Sequence, residues 1–329
     1  MKIRALISAG TAVSVCAALA VAVVAPHSAQ AAWPDKPVRV IVPFGTGGGT
    51  DIQARLLADK LGQLGGQRFL VENRSGAGGL IGAQLVVESP PDGHTLLFTT
   101  ATLAINTTLY SKTLKFNTQT DLVPSTQVST APNVLCVHPS VPAKSAKELV
   151  ALAKSRPGVL NAGGNTPGST SHLASEMLSQ LAGLKMTIIT FTGGGPAVIS
   201  LMTGDIDLLF ATGPVASAGI KTGRIRCLAV TTDEPNPGLP GLPPINTVVP
   251  GLEIANWYSM FFPKGTPSEA VNGLSKFVKE ALSDEKIRGF MEREAIVPVG
   301  GTPDQLGKLL ANDIKKYRDL IEVRKIPIR

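Results

Sequence analysis

The chain has 329 residues, with 31 basic and 24 acidic side chains that give a formal net charge of +7. Aromatic residues make up only 5% of the sequence, and lysine and arginine form no cluster, so the composition disfavours nucleic-acid binding. The histidines and cysteines show no paired ligand spacing, which disfavours a metal centre. We therefore expect no metal, no cofactor and no nucleic-acid partner.

Residues 1–31 have the pattern of a secretion signal. Lys2 and Arg4 precede a long uncharged apolar run, and Ala29 and Ala31 supply the small residues of an A-x-A cleavage sequence. A membrane anchor is the alternative, but the run lies at the extreme N-terminus and ends in a cleavage sequence. We predict a signal peptide that is cleaved near Ala31, and an exported mature chain.

The first block after the leader alternates apolar strand-like and helix-like runs, the pattern of an α/β protein with mainly parallel sheets. Strands are predicted at 38–44, 68–73 and 94–100, and helices at 52–63 and 80–89. Residues 101–126 are polar and irregular, and we expect a crossing region there.

A second block repeats the alternation. Its predicted strands are 133–139, 159–163, 186–191, 206–212 and 224–230, and its predicted helices are 145–155, 171–183, 196–204 and 214–223. The proline-rich segment 234–251 predicts a loop. A strand-like run at 257–265 is followed by helices at 268–284, 285–294 and 303–321. These last helices suggest that the chain returns to complete the first domain.

Glycine-rich corners between strands and helices are the most informative local feature. "VIVPFGTGGGTD" runs from a strand through Gly45, Gly47, Gly48 and Gly49 into a helix. Glycines let backbone N–H groups point outward, and Thr50 or Asp51 could cap the helix, so such a corner is an anion site. Similar corners occur at 76–79, 163–170 and 193–196. If both blocks face one cleft, helix N-termini from both sides could meet at one anion.

Nucleotide and catalytic interpretations fit poorly. No lysine follows the first glycine run, and its spacing departs from the dinucleotide fingerprint. No G-x-S-x-G elbow is present. Ser169 and His172 are close in sequence, but Ser169 is expected to cap a helix or contact ligand and His172 to form structural hydrogen bonds. Asp51 could act as a general base, although a capping role is favoured.

Two cysteines follow the leader, Cys136 and Cys227, each within an apolar strand-like run. An exported compartment permits a disulfide. Sequence alone does not supply the Cα separation that a disulfide needs, so small buried thiols are favoured and the disulfide stays open.

The whole mature sequence resembles the substrate-binding receptors of tripartite tricarboxylate transporters, the Bug-type periplasmic receptors. The resemblance is carried, in family order, by "WPDKPVRVIVPFGTGGGTDIQARLLADKL", "VENRSGAGGLIGAQLV", "PDGHTLLFTT", "GSTSHLASEML", "FTGGGPAVISLMTGDIDLLF", "GRIRCLAVTT" and "FFPKGTPSEAVNGL". It implies a type II periplasmic binding protein with two α/β domains that close on a ligand between them. We expect domain 1 at 32–134 and 256–329, and domain 2 at 135–255.

The resemblance also implies a function and a site. The function is a monomeric periplasmic receptor that captures a small organic carboxylate and delivers it to membrane permease subunits. A sensory receptor that presents the carboxylate to a membrane sensor kinase, or an exported enzyme acting on a carboxylate, are the alternatives. The implied ligand-binding residues, on two opposed corners and the adjoining strand ends, are Phe44, Gly47, Gly48, Gly49, Thr50, Asp51, Thr99, Thr100, Ala101, Gly168, Ser169, Thr170, Gly194, Gly195 and Pro196. No catalytic residue is predicted.

This chain departs from the family pattern near the proposed cleft. Gly45 and Thr46 stand where a second proline is common, and Phe191 and Thr192 replace a tyrosine–basic pair. Thr166 stands where the family usually has glycine. The missing phenol and positive charge argue against a highly charged tricarboxylate as the ligand.

Overall fold

The computed structural model of the protein describes residues 33–323. The helices in this range are α1 (Gly49–Gly65), α2 (Leu80–Val87), α3 (Thr102–Leu109), α4 (Ala146–Ser155), α5 (Thr170–Leu181), α6 (Gly194–Thr203), α7 (Gly213–Lys221), α8 (Ser268–Ala281), α9 (Glu285–Arg293) and α10 (Pro303–Val323). The strands are β1 (Val38–Val42), β2 (Phe69–Asn73), β3 (Thr95–Thr100), β4 (Leu122–Val137), β5 (Asn161–Gly164), β6 (Thr187–Thr190), β7 (Leu208–Thr212), β8 (Arg226–Val230), β9 (Ala255–Pro263) and β10 (Val297–Pro298). The predicted α/β class is confirmed.

The strands form one sheet in the order β2-β1-β3-β9-β4-β7-β5-β6, with β8 and β10 also paired to β4. At one end β1 is parallel to β2 and β3, and at the other end β5 is parallel to β6 and β7. We call these the first and second halves of the sheet. The antiparallel pair β4 and β9 joins the halves, since β4 pairs with β9 over its first part and with β7 and β8 over its last.

The helix sequences explain which faces pack on the sheet. In α10 the apolar residues recur every three or four positions, so they lie on one face of the helix. That face packs against α3 and β4. Its buried residues are Leu306, Leu310, Ile314, Tyr317 and Ile321.

The crossing region differs from the prediction because it contains helix α3. Its sequence, TLAINTTL, is rich in residues of weak helix propensity. Seven of its eight residues are nevertheless buried, and the helix packs on α10. Tertiary packing rather than local propensity therefore stabilises it.

Strand β4 also begins eleven residues before the predicted start at Asn133. The first part of β4 is largely buried, but its serine and threonine side chains make its sequence resemble a loop. The Ser125 hydroxyl donates to Val271 O at 2.8 Å, and the Thr126 hydroxyl donates to Gly301 O at 2.7 Å. Burial of these side chains is tolerated because each hydroxyl has a partner.

The two cysteines are linked, which corrects the preference for free thiols. Cys136 of β4 lies directly opposite Cys227 of β8, with Cα atoms 3.9 Å apart, and the pair forms a disulfide. The sequence could not give this result because the pairing of β4 with β8 follows from the topology of the whole sheet.

The predicted signal peptide lies outside the described residues. Within residues 33–323, no helix combines the length and apolar character needed to span a membrane. The predicted domain boundaries, between 134 and 135 and between 255 and 256, fall in β4 and at the start of β9, where the chain crosses between the halves of the sheet. The division into two domains itself stays a prediction.

Candidate functional site

A cavity of about 30 Å³ lies where the two halves of the sheet meet, at the ends of strands that lead into helices. Such strand ends are the usual ligand position in open α/β sheets. The lining contains no charged side chain. The lining residues are Phe44, Gly48, Gly49, Thr50, Thr100, Thr102, Asn165, Thr166, Ser169, Thr170, Gly193, Gly194, Thr212 and Asn256.

Two larger grooves, of about 510 and 790 Å³, adjoin each other near the C-terminal ends of α7 and α9. They are lined by apolar residues and by exposed cations such as Lys221 and Arg293. Neither groove contains a helix N-cap. We take the smaller cavity as the candidate site because it alone among these three gathers helix N-termini.

Four helices of nine or more residues direct their N-termini at this cavity. Their N-caps are Gly48 for α1, Ser169 for α5, Gly193 for α6 and Thr212 for α7, and all four line it. Only Ser169 provides a side-chain cap, by accepting a hydrogen bond from His172 N at 3.1 Å. The first N–H groups of α1, α6 and α7 have no such partner. Each N-terminus carries about half a positive charge, so together they favour an anion.

The first and fourth glycine corners, at 45–49 and 193–196, contact each other through their backbones. Gly45 N donates to Thr192 O at 3.0 Å. A Cβ atom on Gly193 would lie 2.8 Å from Gly45 N, and one on Gly48 would lie 3.3 Å from Gly194 N. Close backbone approach between the two halves of the molecule therefore excludes a Cβ atom at position 193 unless the corners move, and it makes a Cβ atom at position 48 a tight fit.

Asp51 is buried and holds the first corner in shape. Its carboxylate accepts hydrogen bonds from Gly47 N at 2.9 Å, from Arg55 Nε at 3.0 Å and from Asn73 Nδ2 at 3.0 Å. Burial raises the pKa of the Asp51 carboxyl, but the hydrogen bonds from Arg55, Gly47 and Asn73 outweigh burial and lower the pKa below its ordinary value. Asn73 Nδ2 also donates to Phe44 O at 3.0 Å. The network fixes the loop that precedes α1.

The corner between β5 and α5 is anchored by hydroxyls of the helix. Asn165 N donates to Ser171 Oγ at 3.3 Å, and Thr166 N donates to Ser169 Oγ at 3.2 Å. His172 Nδ1 accepts from Gly168 N at 3.2 Å. His172 thus forms the structural hydrogen bond that its sequence position predicts, and Ser169 is engaged as a cap rather than activated as a nucleophile.

Two adjacent lining residues carry a buried polar side-chain atom without a protein partner. These atoms are Asn165 Oδ1 and Thr166 Oγ1, and each belongs to a residue that is at most 9% exposed. Most buried polar atoms in proteins are hydrogen-bonded. Two such atoms side by side indicate a site that a ligand or water completes.

Tyr258 lies behind the lining, beside Thr212 and Asn256. Burial raises the pKa of its phenol to about 12, although hydrogen bonding by Asn256 and Thr212 lowers it in part. The phenol therefore stays neutral. A Cβ atom on Gly49 would lie 2.8 Å from the Tyr258 hydroxyl and 2.9 Å from Thr212 Oγ1, so this glycine too is required by close packing.

The cavity brings together eight of the fifteen predicted site residues: Phe44, Gly48, Gly49, Thr50, Thr100, Ser169, Thr170 and Gly194. The other seven lie outside its lining, namely Gly47, Asp51, Thr99, Ala101, Gly168, Gly195 and Pro196. The Gly47 N–H donates a hydrogen bond to the Asp51 carboxylate. Gly195 lies against Thr46 O of the facing corner. Whether any of the fifteen contacts ligand stays a prediction.

Six lining residues were not predicted: Thr102, Asn165, Thr166, Gly193, Thr212 and Asn256. Thr212 could have been found, because it ends a strand and precedes the Gly213–Pro214 start of a helix. Asn165 and Thr166 lie within a corner that the sequence singled out. Asn256 carries no sequence signal, since it reaches the site from the crossing strand β9. No group of metal-ligating side chains occurs in residues 33–323.

Comparisons with known proteins agree with this architecture. Residues 53–326 match the family described as "Tripartite tricarboxylate transporter family receptor". Protein BugT of Bordetella pertussis is 32% identical over 302 residues, which cover 91% of this chain and 92% of that protein.

Two similar solved structures are described as containing a carboxylate. The structure described as "R. palustris Rpa4515 with adipate" has a TM-score of 0.86 and 33% identity, and covers 90% of this chain and 99% of that one. MatC (Rpa3494) from Rhodopseudomonas palustris with bound malate has a TM-score of 0.83 and 28% identity, and covers 88% of this chain and 99% of that one.

Proposed function

Because this chain belongs to the tripartite tricarboxylate transporter receptor family of periplasmic solute-binding proteins, we propose that it captures a small organic carboxylate in the cavity between the two halves of its sheet. It then delivers this ligand to the permease subunits of a tripartite transporter. The leader directs export and is cleaved near Ala31.

The observation that carries this proposal is the convergence of four helix N-termini on a cavity without charged side chains. Three of these N-termini have no side-chain cap. Their free N–H groups match the acceptor oxygens of a carboxylate. The bound adipate and malate of the two similar structures support a carboxylate as the ligand class here.

Capture requires the molecule to open and close. A cavity of about 30 Å³ has the size of a single water molecule, so a carboxylate enters only if the two halves separate. We propose that residues 32–134 and 256–329 move relative to residues 135–255 about the crossing strands β4 and β9. Opening breaks the bond from Gly45 N to Thr192 O, and closure restores it around the ligand.

The lining supports binding rather than turnover. Its hydroxyl groups belong to threonines and to Ser169, whose Oγ already accepts bonds from Thr166 N and His172 N. No general base stands beside them in the lining. We therefore propose a receptor that returns its ligand unchanged.

Isothermal titration calorimetry tests the proposal on protein that has been unfolded, dialysed and refolded to remove bound solute. We expect at least one compound from a panel of hydroxy-, di- and tricarboxylates to bind and to raise the melting temperature. The matched carboxamide of that compound should not bind, because it lacks the negative charge that the N-termini favour. Equal binding of acid and amide, or no binding by any carboxylate, would refute the carboxylate site.

Uptake experiments test delivery. Deleting the gene for this chain should abolish uptake of the ligand found by calorimetry, and restoring it should recover uptake. If uptake is unchanged while ligand-induced transcription is lost, the sensory role replaces the transport role.

A further inference from the structure

We propose that Asn165 and Thr166 recognise a hydroxyl group on the ligand, so that this receptor prefers small hydroxycarboxylates to carboxylates without a hydroxyl. This inference rests on the proposed function, since it specifies the ligand class of the same cavity. It begins from two adjacent buried side chains whose polar atoms, Asn165 Oδ1 and Thr166 Oγ1, have no protein partner.

Both residues are held firmly in the cavity wall. Asn165 is 9% exposed and Thr166 is 5% exposed. Their backbone N–H groups are bound by Ser171 Oγ and Ser169 Oγ, and Ser169 N donates back to Thr166 O at 3.0 Å. The side chains are therefore already in place before a ligand arrives, which lowers the entropic cost of binding.

Two other polar lining residues, Thr212 and Asn256, have a partner available. Both lie beside the buried Tyr258 phenol, and hydrogen bonding by Asn256 and Thr212 lowers the pKa of that phenol in part. Asn165 Oδ1 and Thr166 Oγ1 have no protein partner. They are therefore the atoms left for a ligand.

The chemistry of these atoms selects a hydroxyl group. The amide oxygen of Asn165 needs a donor, and the Thr166 hydroxyl can both donate and accept. A ligand hydroxyl satisfies both at once. An ammonium group would also donate, but the lining contains no Asp or Glu to balance its charge, and the helix N-termini around the cavity repel a cation.

A ligand without a hydroxyl leaves these two buried atoms unpaired or dependent on a trapped water. An unsatisfied buried polar atom costs about 1–3 kcal/mol, which corresponds to a factor of roughly 5 to 150 in Kd. We therefore expect malate to bind roughly 5 to 150 times more tightly than succinate, and lactate to exceed propionate in affinity within the same range, wherever either pair binds.

The test uses the ratio of affinities for malate and succinate, measured by calorimetry on the refolded full chain. Thr166→Val removes the hydroxyl at nearly constant shape and should reduce the ratio, because malate loses a hydrogen bond and succinate no longer leaves the Thr166 hydroxyl unpaired. Thr166→Ser keeps a hydroxyl and should retain the ratio. Thr212→Val, at a lining residue that lies beside Tyr258 instead, is the matched control and should leave the ratio unchanged even if it weakens both ligands.

The outcomes separate the two proposals. Equal binding of malate and succinate by the wild-type protein, or an unchanged ratio in Thr166→Val, would overturn the role of Thr166 and leave carboxylate binding intact. If Thr166→Val does not fold, the same comparison with Asn165→Ala decides the question. Failure of every carboxylate to bind would instead refute the proposed function.

Discussion

The contact between the glycine corners predicts a variant that impairs binding without unfolding the protein. Gly193→Ala places a Cβ atom 2.8 Å from Gly45 N, 3.3 Å from Gly45 Cα and 3.5 Å from Gly45 O. Its φ of 164° is extended backbone that alanine adopts without strain. The added methyl group therefore acts on the opposite corner rather than on its own backbone.

The magnitude follows from two losses in the closed form. Forcing a methyl group into a packed contact costs about 1–3 kcal/mol, and separating the corners removes the bond from Gly45 N to Thr192 O, with a net value of about 0.5–1.5 kcal/mol. The closed form is thus destabilised by about 1.5–4.5 kcal/mol. At 1.4 kcal/mol per tenfold change, Kd for the carboxylate rises roughly tenfold to a thousandfold.

Folding should change much less, because the ligand-free protein can relieve the contact by opening. Gly193 is also the N-cap of α6, and loss of glycine there costs up to about 1 kcal/mol. Gly193→Ser adds the same Cβ atom but restores a good cap, so it should match the alanine variant in Kd and exceed it in unfolding free energy. In the control Gly307→Ala, the new Cβ meets Pro124 Cγ at an ordinary 3.8 Å.

Calorimetry gives Kd and urea denaturation gives the unfolding free energy of all four proteins. If Gly193→Ala binds the ligand within about twofold of the wild type, a change below 0.5 kcal/mol, the corners are not in contact in the bound state and the proposed closure is wrong.

Three further predictions concern stability, measured by urea denaturation. Asp51→Asn should lower the unfolding free energy by about 1.5–3 kcal/mol at neutral pH. Because the pKa of Asp51 is lowered from 3.8 in the folded protein, the difference in unfolding free energy between wild type and variant should shrink as acid protonates the wild-type carboxylate. A difference independent of pH would contradict this role of Asp51. Thr231→Val should lower the unfolding free energy by about 2–4 kcal/mol, because the Thr231 hydroxyl donates to Ile254 O and accepts from Asn133 N. A change near zero would show that the segments joined by these two bonds do not depend on Thr231 for stability. Replacing Cys136 and Cys227 together by alanine should cost up to about 4–5 kcal/mol, because the disulfide closes a loop with a sequence separation of 91, and equal stability would argue against the disulfide.

The alternation of strands and helices was predictable because it depends on local patterns. Strand β1 and helix α1, for example, follow from an apolar run and a period of three to four residues around a glycine corner. Helix α3 and the first part of β4 were not predictable in this way. Their threonines and serines resemble loop residues until partners distant in sequence, such as Val271 and Gly301, bury them.

The site was predictable to a similar degree and for the same reason. The sequence predicted Gly48, Ser169 and Gly194 because a glycine-rich corner is recognisable from a few consecutive residues. Asn256 could not, because it faces the cavity only through the position of β9 between β3 and β4. For Asp51 the sequence predicted the position but not the role. The residue lies in the corner as expected, but its carboxylate accepts hydrogen bonds from Gly47 and Asn73 and is not part of the cavity lining.

The use of backbone dipoles instead of a charged side chain has a consequence for release of the ligand. A fixed cation attracts an anion across a Debye length of about 8 Å at physiological salt, whereas the partial charge of a helix N-terminus acts within about its first turn. The N-termini of α1 and α6 belong to corners that contact each other, and the opening proposed above separates these corners. Opening the molecule by a few ångströms therefore dismantles the site itself. We therefore expect the protein to hold its ligand when closed and to keep little attraction for it once the proposed opening separates the corners.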